Sequence, residues 1–205
     1  MTDIMAAAPQ SRGPADHAVR EQIVDAAREH FSQYGYAKTT VSDLAKSIGF
    51  SKAYIYKFFD SKEAIGEAIC AKTLSGIVAT VEAAVAGAST PTEKFRQMFK
   101  VLVGTSVGLF FSDRKLYDIA AYAASEHWPS CRAYRERISQ MLTAIVREGR
   151  ERGEFERKTP LDETVHAIDL VVQPYVNPLL LQYNLDVAEE APVQLSSLVL
   201  RSLAP

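Results

Sequence analysis

Between residues 39 and 63 the chain reads TTVSDLAKSIGFSKAYIYKFFDSKE, and the reactive groups there are hydroxyls, phenols and ammoniums rather than paired acids and bases. Thr40, Ser51, Lys52, Tyr54, Tyr56, Lys57 and Lys62 can all donate hydrogen bonds outward from a small helical unit. That set suits contacts to the phosphates and base edges of double-stranded DNA, where backbone contacts position a protein and edge contacts select the sequence. Lys62 sits just inside a helix that Ser61 can cap. A cation at that end is unfavourable for an isolated helix, and it makes sense where a phosphate arrives. The formal net charge of −2 is not an objection. Residues 38–62 carry Lys38, Lys46, Lys52, Lys57 and Lys62 against Asp43 and Asp60, a local excess of three positive charges. Binding DNA needs a local patch, not a basic chain.

No constellation for covalent chemistry accompanies this patch. Nucleophile-elbow, phosphate-loop and dinucleotide fingerprints are missing, so the chain is not expected to be an enzyme or to need a cofactor. His17, His30, His127 and His166 lack metal-ligand spacing. Cys70 and Cys131 are far apart in sequence and read as free core thiols in a reducing cytoplasm. A redox-sensing role would demand an accessible, low-pKa thiolate. An apolar fraction of 47% with 23% charged residues places the chain among ordinary globular proteins. No membrane-spanning run and no signal peptide are expected. Residues 1–16, rich in Ala and Pro, read as a disordered arm; Arg12 could touch DNA from it, or the arm is simply an untethered terminus.

Three helices must position the donors. Ile23, Ala26, Ala27, Phe31 and Tyr34 form a helical stripe ended by Gly35. Thr40 with Asp43 approximates a capping box, and Val41, Leu44, Ala45 and Ile48 make the apolar face behind it. Gly49 can end that helix in a left-handed conformation, and Ser51 can cap the next. Ala53, Ile55, Phe58 and Phe59 are the candidates for its inner face, which leaves Lys52, Tyr54, Tyr56 and Lys57 outside. This is a helix-turn-helix supported by a preceding helix, and a bare helical hairpin with a solvated charged face is the plain alternative.

The run IVDAAREHFSQYGYAKTTVSDLAKSIGFSKAYIYKFFDSKEAIGEAI strongly resembles the N-terminal domain of the TetR (AcrR-like) transcriptional regulators, over residues 20–70. The family signature appears as Ser51, Lys52, Tyr56, Phe59, Ser61, Lys62 and Glu63, with Ile65 in place of Leu. Ala53, Tyr54, Lys57 and Phe58 depart from the common pattern, so base preference is not inherited. The resemblance implies an all-α fold: a three-helix DNA-binding domain at 17–62, then a divergent helical domain at 63–205 for ligand and dimerisation. It also implies that Thr40, Ser51, Lys52, Tyr54, Tyr56, Lys57 and Lys62 face DNA, and that the protein represses by occluding a promoter.

Beyond residue 62 the pattern predicts six more helices, nine in all and no strand. They begin at Ser61, at Thr90-Pro91, at Asp113, at Trp128-Pro129, at Thr159-Pro160 and near 190. Segment 160–182 is apolar around most of its circumference and contains Pro174 and Pro178, which must kink or end it. The resemblance implies that it pairs with 190–203 as the homodimer contact, burial inside one protomer being the alternative, and such a dimer would read a palindromic operator. Phe99, Val103, Phe110, Tyr122, His127, Trp128 and Met141 are candidate walls of a cavity for a hydrophobic or aromatic effector, although aromatics at helical spacing are more often core than pocket. Gln173 and Asn177, one turn apart at the proline-kinked segment, are its candidate polar contacts. A regulator without a ligand, governed by a protein partner or by abundance, would instead have a filled second domain.

Overall fold

The computed structural model describes residues 14–205, which form ten α-helices and, among the described residues, no strand. The helices are α1 (Pro14–Tyr34), α2 (Val41–Ser47), α3 (Lys52–Ile55), α4 (Lys62–Ala86), α5 (Pro91–Ser112), α6 (Arg114–Ser125), α7 (Pro129–Glu151), α8 (Leu161–Val176), α9 (Pro178–Leu181) and α10 (Ala191–Ser202). α1 begins inside the expected 1–16 arm; the rest of that arm, Arg12 included, lies outside the described residues.

Local signals explain most boundaries. The hydroxyls of Thr40, Ser51, Ser61 and Thr90 each accept a backbone N–H three residues on, capping α2, α3, α4 and α5. Gly49 adopts φ +72°, which a side chain would resist. Its N–H reaches the Lys46 carbonyl and the Phe50 N–H the Ala45 carbonyl, the Schellman arrangement that ends α2 and turns the chain into α3.

Two expectations about helices are corrected. The single helix over 160–182 is divided at Asn177, which is extended at ψ 121°. Pro174 is accommodated inside α8, whereas Pro178 starts α9 with Asn177 as its cap; this adds the tenth helix. α4 is long and apolar enough, by length and composition, to cross a bilayer, contrary to the expectation of no such run. Its charged side chains are nonetheless engaged by neighbouring elements: Glu67 by Ser130, Lys72 by Glu21 and Asp25, and Glu82 by Arg137. Tyr34 also departs from its predicted place. It is 59% exposed and stacks on His30 at the end of α1, while Ile23, Ala27 and Phe31 are fully buried.

The buried side chains form two cores. One joins Ile23, Phe31, Leu44, Ile55 and Phe59 to Ile65 and Ile69 of α4 and to Leu116, Ile119, Ala123 and Trp128. The core of the first domain (17–62, the head) therefore extends past residue 62 into the second domain (63–205, the body). The other core holds Val81, Phe95, Phe99, Leu102, Tyr117, Leu142, Ile145, Ile168 and Val199. Trp128 lies against the bare backbone of Gly66, where an added Cβ would sit 2.8 Å from its Cη2. The Trp128 ring also meets Tyr36 (6.1 Å) and Tyr122 (5.7 Å), so one aromatic cluster spans the junction between head and body.

Candidate nucleic-acid interface and effector cavity

The seven donors expected to face DNA lie at the N-cap of α2, on α3 and the residues flanking it, and at the start of α4, with different freedom. Thr40 is exposed and closes a reciprocal capping box: its N–H and hydroxyl donate to Asp43 Oδ2 (3.1 and 2.7 Å), and the Asp43 N–H donates back to Thr40 Oγ1 (3.2 Å). These bonds hold the Asp43 carboxyl below its ordinary range. Ser51 uses its hydroxyl to accept the Tyr54 N–H. Lys52, Tyr56 and Lys57 are exposed, with the Lys52 ammonium 5.7 Å from the Tyr56 ring centre and that of Lys57 5.6 Å from the Tyr54 ring.

Tyr54 and Lys62 are less free than the sequence reading supposes. The Tyr54 ring is half-buried edge-on between Phe50 and Phe58 (5.0 and 5.4 Å). The Lys62 ammonium donates to the Tyr36 carbonyl (3.1 Å) and lies over the Tyr36 ring (4.5 Å), which ties the start of α4 to the loop before α2. Sequence reasoning also missed Arg20 of α1. It donates to the Phe58 carbonyl (2.7 Å) and stacks on Phe59, fixing the end of the α3 turn. No local pattern signals that contact, because its partners are 38 residues away.

In the body, α4 to α9 enclose a mainly apolar cavity of about 210 Å³. Of the expected ligand residues, Phe99, His127, Gln173 and Asn177 line it. Val103, Phe110, Tyr122, Trp128 and Met141 do not, and helical phase explains why. On α5 the lining stripe is Phe95, Met98, Phe99, Leu102, Ser106 and Leu109, which leaves Val103 packed elsewhere in the core. Phe110 instead packs edge-on against Tyr117 (4.8 Å) under the Arg114 guanidinium. On α7 the stripe runs through Cys131, Tyr134, Arg135, Ile138 and Leu142, and Met141 falls off it. Tyr122 and Trp128 belong to the junction cluster described above.

One wall is polar. Gln173 Nε2 donates to Asp169 Oδ1 (3.1 Å), Asn177 Nδ2 donates to Gln173 Oε1 (3.3 Å), and the Asn177 Oδ1 accepts the Leu179 N–H (2.9 Å). Gln173 and Asn177 thus share a face as expected, and Asp169 and Arg135 are additions the sequence reading missed. The Tyr117 hydroxyl donates to the Pro178 carbonyl (2.6 Å), and burial pushes the Tyr134 phenol up to about 12, so both rings are neutral walls near pH 7. Arg135, Ser139, Asp169 and Gln173 also border an outer groove of about 830 Å³ between α7 and α8, where Arg132 and His166 lie. The apolar chamber therefore adjoins a polar one.

Residues 23–69 match the family model of bacterial regulatory proteins, tetR family, and residues 91–194 match that of the tetracyclin repressor-like C-terminal domain. The Staphylococcus aureus biofilm operon icaADBC HTH-type negative transcriptional regulator IcaR is 45% identical over 49 residues, 24% of this chain and 26% of that protein. The match thus spans only about a quarter of that relative's length. The TetR family transcriptional regulator PfmR of Thermus thermophilus superposes with a TM-score of 0.60 at 27% identity, over 90% of this chain and 100% of that one. FadR of the same organism, a repressor solved in complex with lauroyl-CoA, gives a TM-score of 0.63 at 24% identity, over 91% and 95% of the two chains.

Proposed function

Because the chain belongs to the tetR family of bacterial regulatory proteins and is a DNA-binding transcriptional regulator, we propose that it acts as a homodimeric repressor released from a palindromic operator by a hydrophobic small molecule. The observation that carries the release step is the partly open, mainly apolar chamber of about 210 Å³ in the body. It favours a ligand-governed regulator over one controlled by a partner protein or by abundance alone, for which a filled body would serve.

In this reading Thr40, Ser51, Lys52, Tyr54, Tyr56, Lys57 and Lys62 meet DNA. Lys52 and Lys57 supply most of the phosphate attraction, since their ammoniums are the freest of the set. The dimer forms through α8 and α10, where Leu170, Val171, Val193 and Leu198 leave an apolar face exposed at 59, 38, 70 and 55%. Two heads about 34–36 Å apart then read successive major grooves.

The chamber is smaller than the ~300–1,000 Å³ usual for ligand sites. The effector therefore places an apolar body between Phe99, Leu102 and Ile138 and extends a polar end past Arg135 and Gln173 into the outer groove. FadR's lauroyl-CoA has that general build. The ligand shifts the population only by its preference for one head spacing over the other, about 1–3 kcal/mol of coupling. α4 carries the shift, since it contributes Leu74 and Ile77 to the chamber and Ile65 and Ile69 to the head core.

Fluorescence anisotropy on the DNA flanking its own gene, followed by challenge with hydrophobic compounds, tests the reading. Tight, salt-sensitive binding released by one class of compound is the expected result. Binding that no compound releases would sink the ligand step and return weight to partner control.

A further inference from the structure

Cys70 and Cys131, 61 positions apart in sequence, are brought side by side where α4 meets the first turn of α7. Cys131 packs against the core cluster that buries Cys70, and the two thiols lie close enough to perturb each other's ionisation. Cys70 is buried, whereas Cys131 is only partly buried and lines the apolar chamber. The pair is held in register by Glu67, one helical turn before Cys70 on α4. Its carboxylate accepts both the N–H and the hydroxyl of Ser130 (2.7 Å each). Arg135, one turn beyond Cys131, lines the same chamber. The neighbouring Cys70 draws the Cys131 thiol below its ordinary value, against burial and the Glu67 carboxylate, while Cys70 itself is pushed up. Cys131 thus faces the cavity, and Cys70 is buried behind it. That division suits an attacking thiol and a resolving thiol.

We infer that Cys131 and Cys70 form a thiol–disulfide switch oxidised by organic hydroperoxides that enter the apolar chamber. The Cys131 thiolate attacks the terminal peroxide oxygen; an S–O bond forms, the O–O bond breaks, and the alkoxide leaves and takes a proton to become an alcohol. The Cys70 sulfur then attacks the Cys131 sulfur. The S–S bond forms, the S–O bond breaks, and hydroxide leaves with the Cys70 proton as water. In sum, two thiols and one hydroperoxide give one disulfide, one alcohol and one water. Closing the bond brings the sulfurs to about 2.05 Å, nearer than any two unbonded sulfurs lie, and so pulls the start of α7 toward α4. Trp128, which precedes that turn and leans on Gly66 and Tyr36, carries the displacement to the head. This last step rests on the DNA-binding reading; the thiol chemistry does not.

The test uses the reduced full-length chain and cumene hydroperoxide. Treatment should lower the intact mass by two hydrogens, block both cysteines to iodoacetamide and give one peptide linking Cys70 to Cys131, all reversed by dithiothreitol. Oxidation should be roughly tenfold or more faster than by hydrogen peroxide, the preference that two or more buried methylenes confer. Cys70→Ala should halt at a dimedone-reactive sulfenic acid on Cys131, and Cys131→Ser should leave Cys70 unmodified. Two thiols that stay alkylatable in the wild-type chain, or a disulfide formed only between chains, would overturn the switch whether or not the variants fold. Equal rates for the two peroxides would overturn entry through the chamber. Operator affinity, measured separately on the oxidised chain, should fall and recover on reduction; an unchanged affinity with the disulfide in place would remove the regulatory role alone.

Discussion

The head and the body solve the same packing problem in opposite ways. In the head, Ile23, Ala27, Phe31, Ile55 and Ile65 are wholly shielded and the core is filled. In the body, helices of similar composition leave a chamber of about 210 Å³ between their stripes. A surface that must fit a groove of fixed dimensions requires a rigid support. A chamber that must accept a ligand requires a deformable one, and its walls can diverge with the ligand.

The largest expected effect comes from the residue that serves both regions. Trp128→Ala removes a buried indole from the junction and should cost about 3–5 kcal/mol in urea unfolding. Separate transitions for head and body in the variant would show that the junction, not the chain alone, unites them.

A matched pair then tests filled against hollow. Ala27→Leu, in the fully buried head core, should overpack and cost about 1–3 kcal/mol. Ala120→Leu projects the same extra atoms into the chamber and should cost less than about 1.5 kcal/mol, or stabilise, while abolishing effector response. Equal melting temperatures for the two variants would defeat the contrast.

Smaller again is the head's cap. Thr40→Ala should lose about 1 kcal/mol of stability. The folded Asp43 carboxyl titrates below its ordinary 3.8, so its contribution is present above that value and is lost as pH falls through the depressed one. Urea midpoints between pH 6 and pH 3 should therefore fall less steeply in Thr40→Ala than in the wild type. Smallest in stability is Lys57→Ala, within about 0.5 kcal/mol of wild type, although the salt slope of DNA binding should drop by about one unit. An unchanged slope would show that Lys57 touches no phosphate.

The head was readable because its signals are local. Thr40 with Asp43, Gly49 and Ser51 each declare a boundary within four residues, and the structure uses all of them. The body was readable as helices but not as a cavity. Helical spacing says that Phe99 and Val103 are both apolar positions on α5, whereas lining depends on the phase of α5 against five other helices. Gln173 and Asn177 both line the chamber because α8 keeps its phase through Pro174 up to its C-cap at Asn177. The interruption is legible in Pro174 and Pro178, but its place at Asn177 is not, because either proline alone accounts for it in the sequence. Arg20 on Phe58 and Cys70 beside Cys131 were invisible for a related reason: contacts between distant segments leave no periodic trace.

The chain has a single tryptophan, and it is the one wedged between Gly66 and Tyr36 at the junction. Light absorbed at the red edge of the protein's ultraviolet band is thus emitted from one known place. That place is where head and body meet, so the colour and lifetime of the native emission report on their contact without any attached dye.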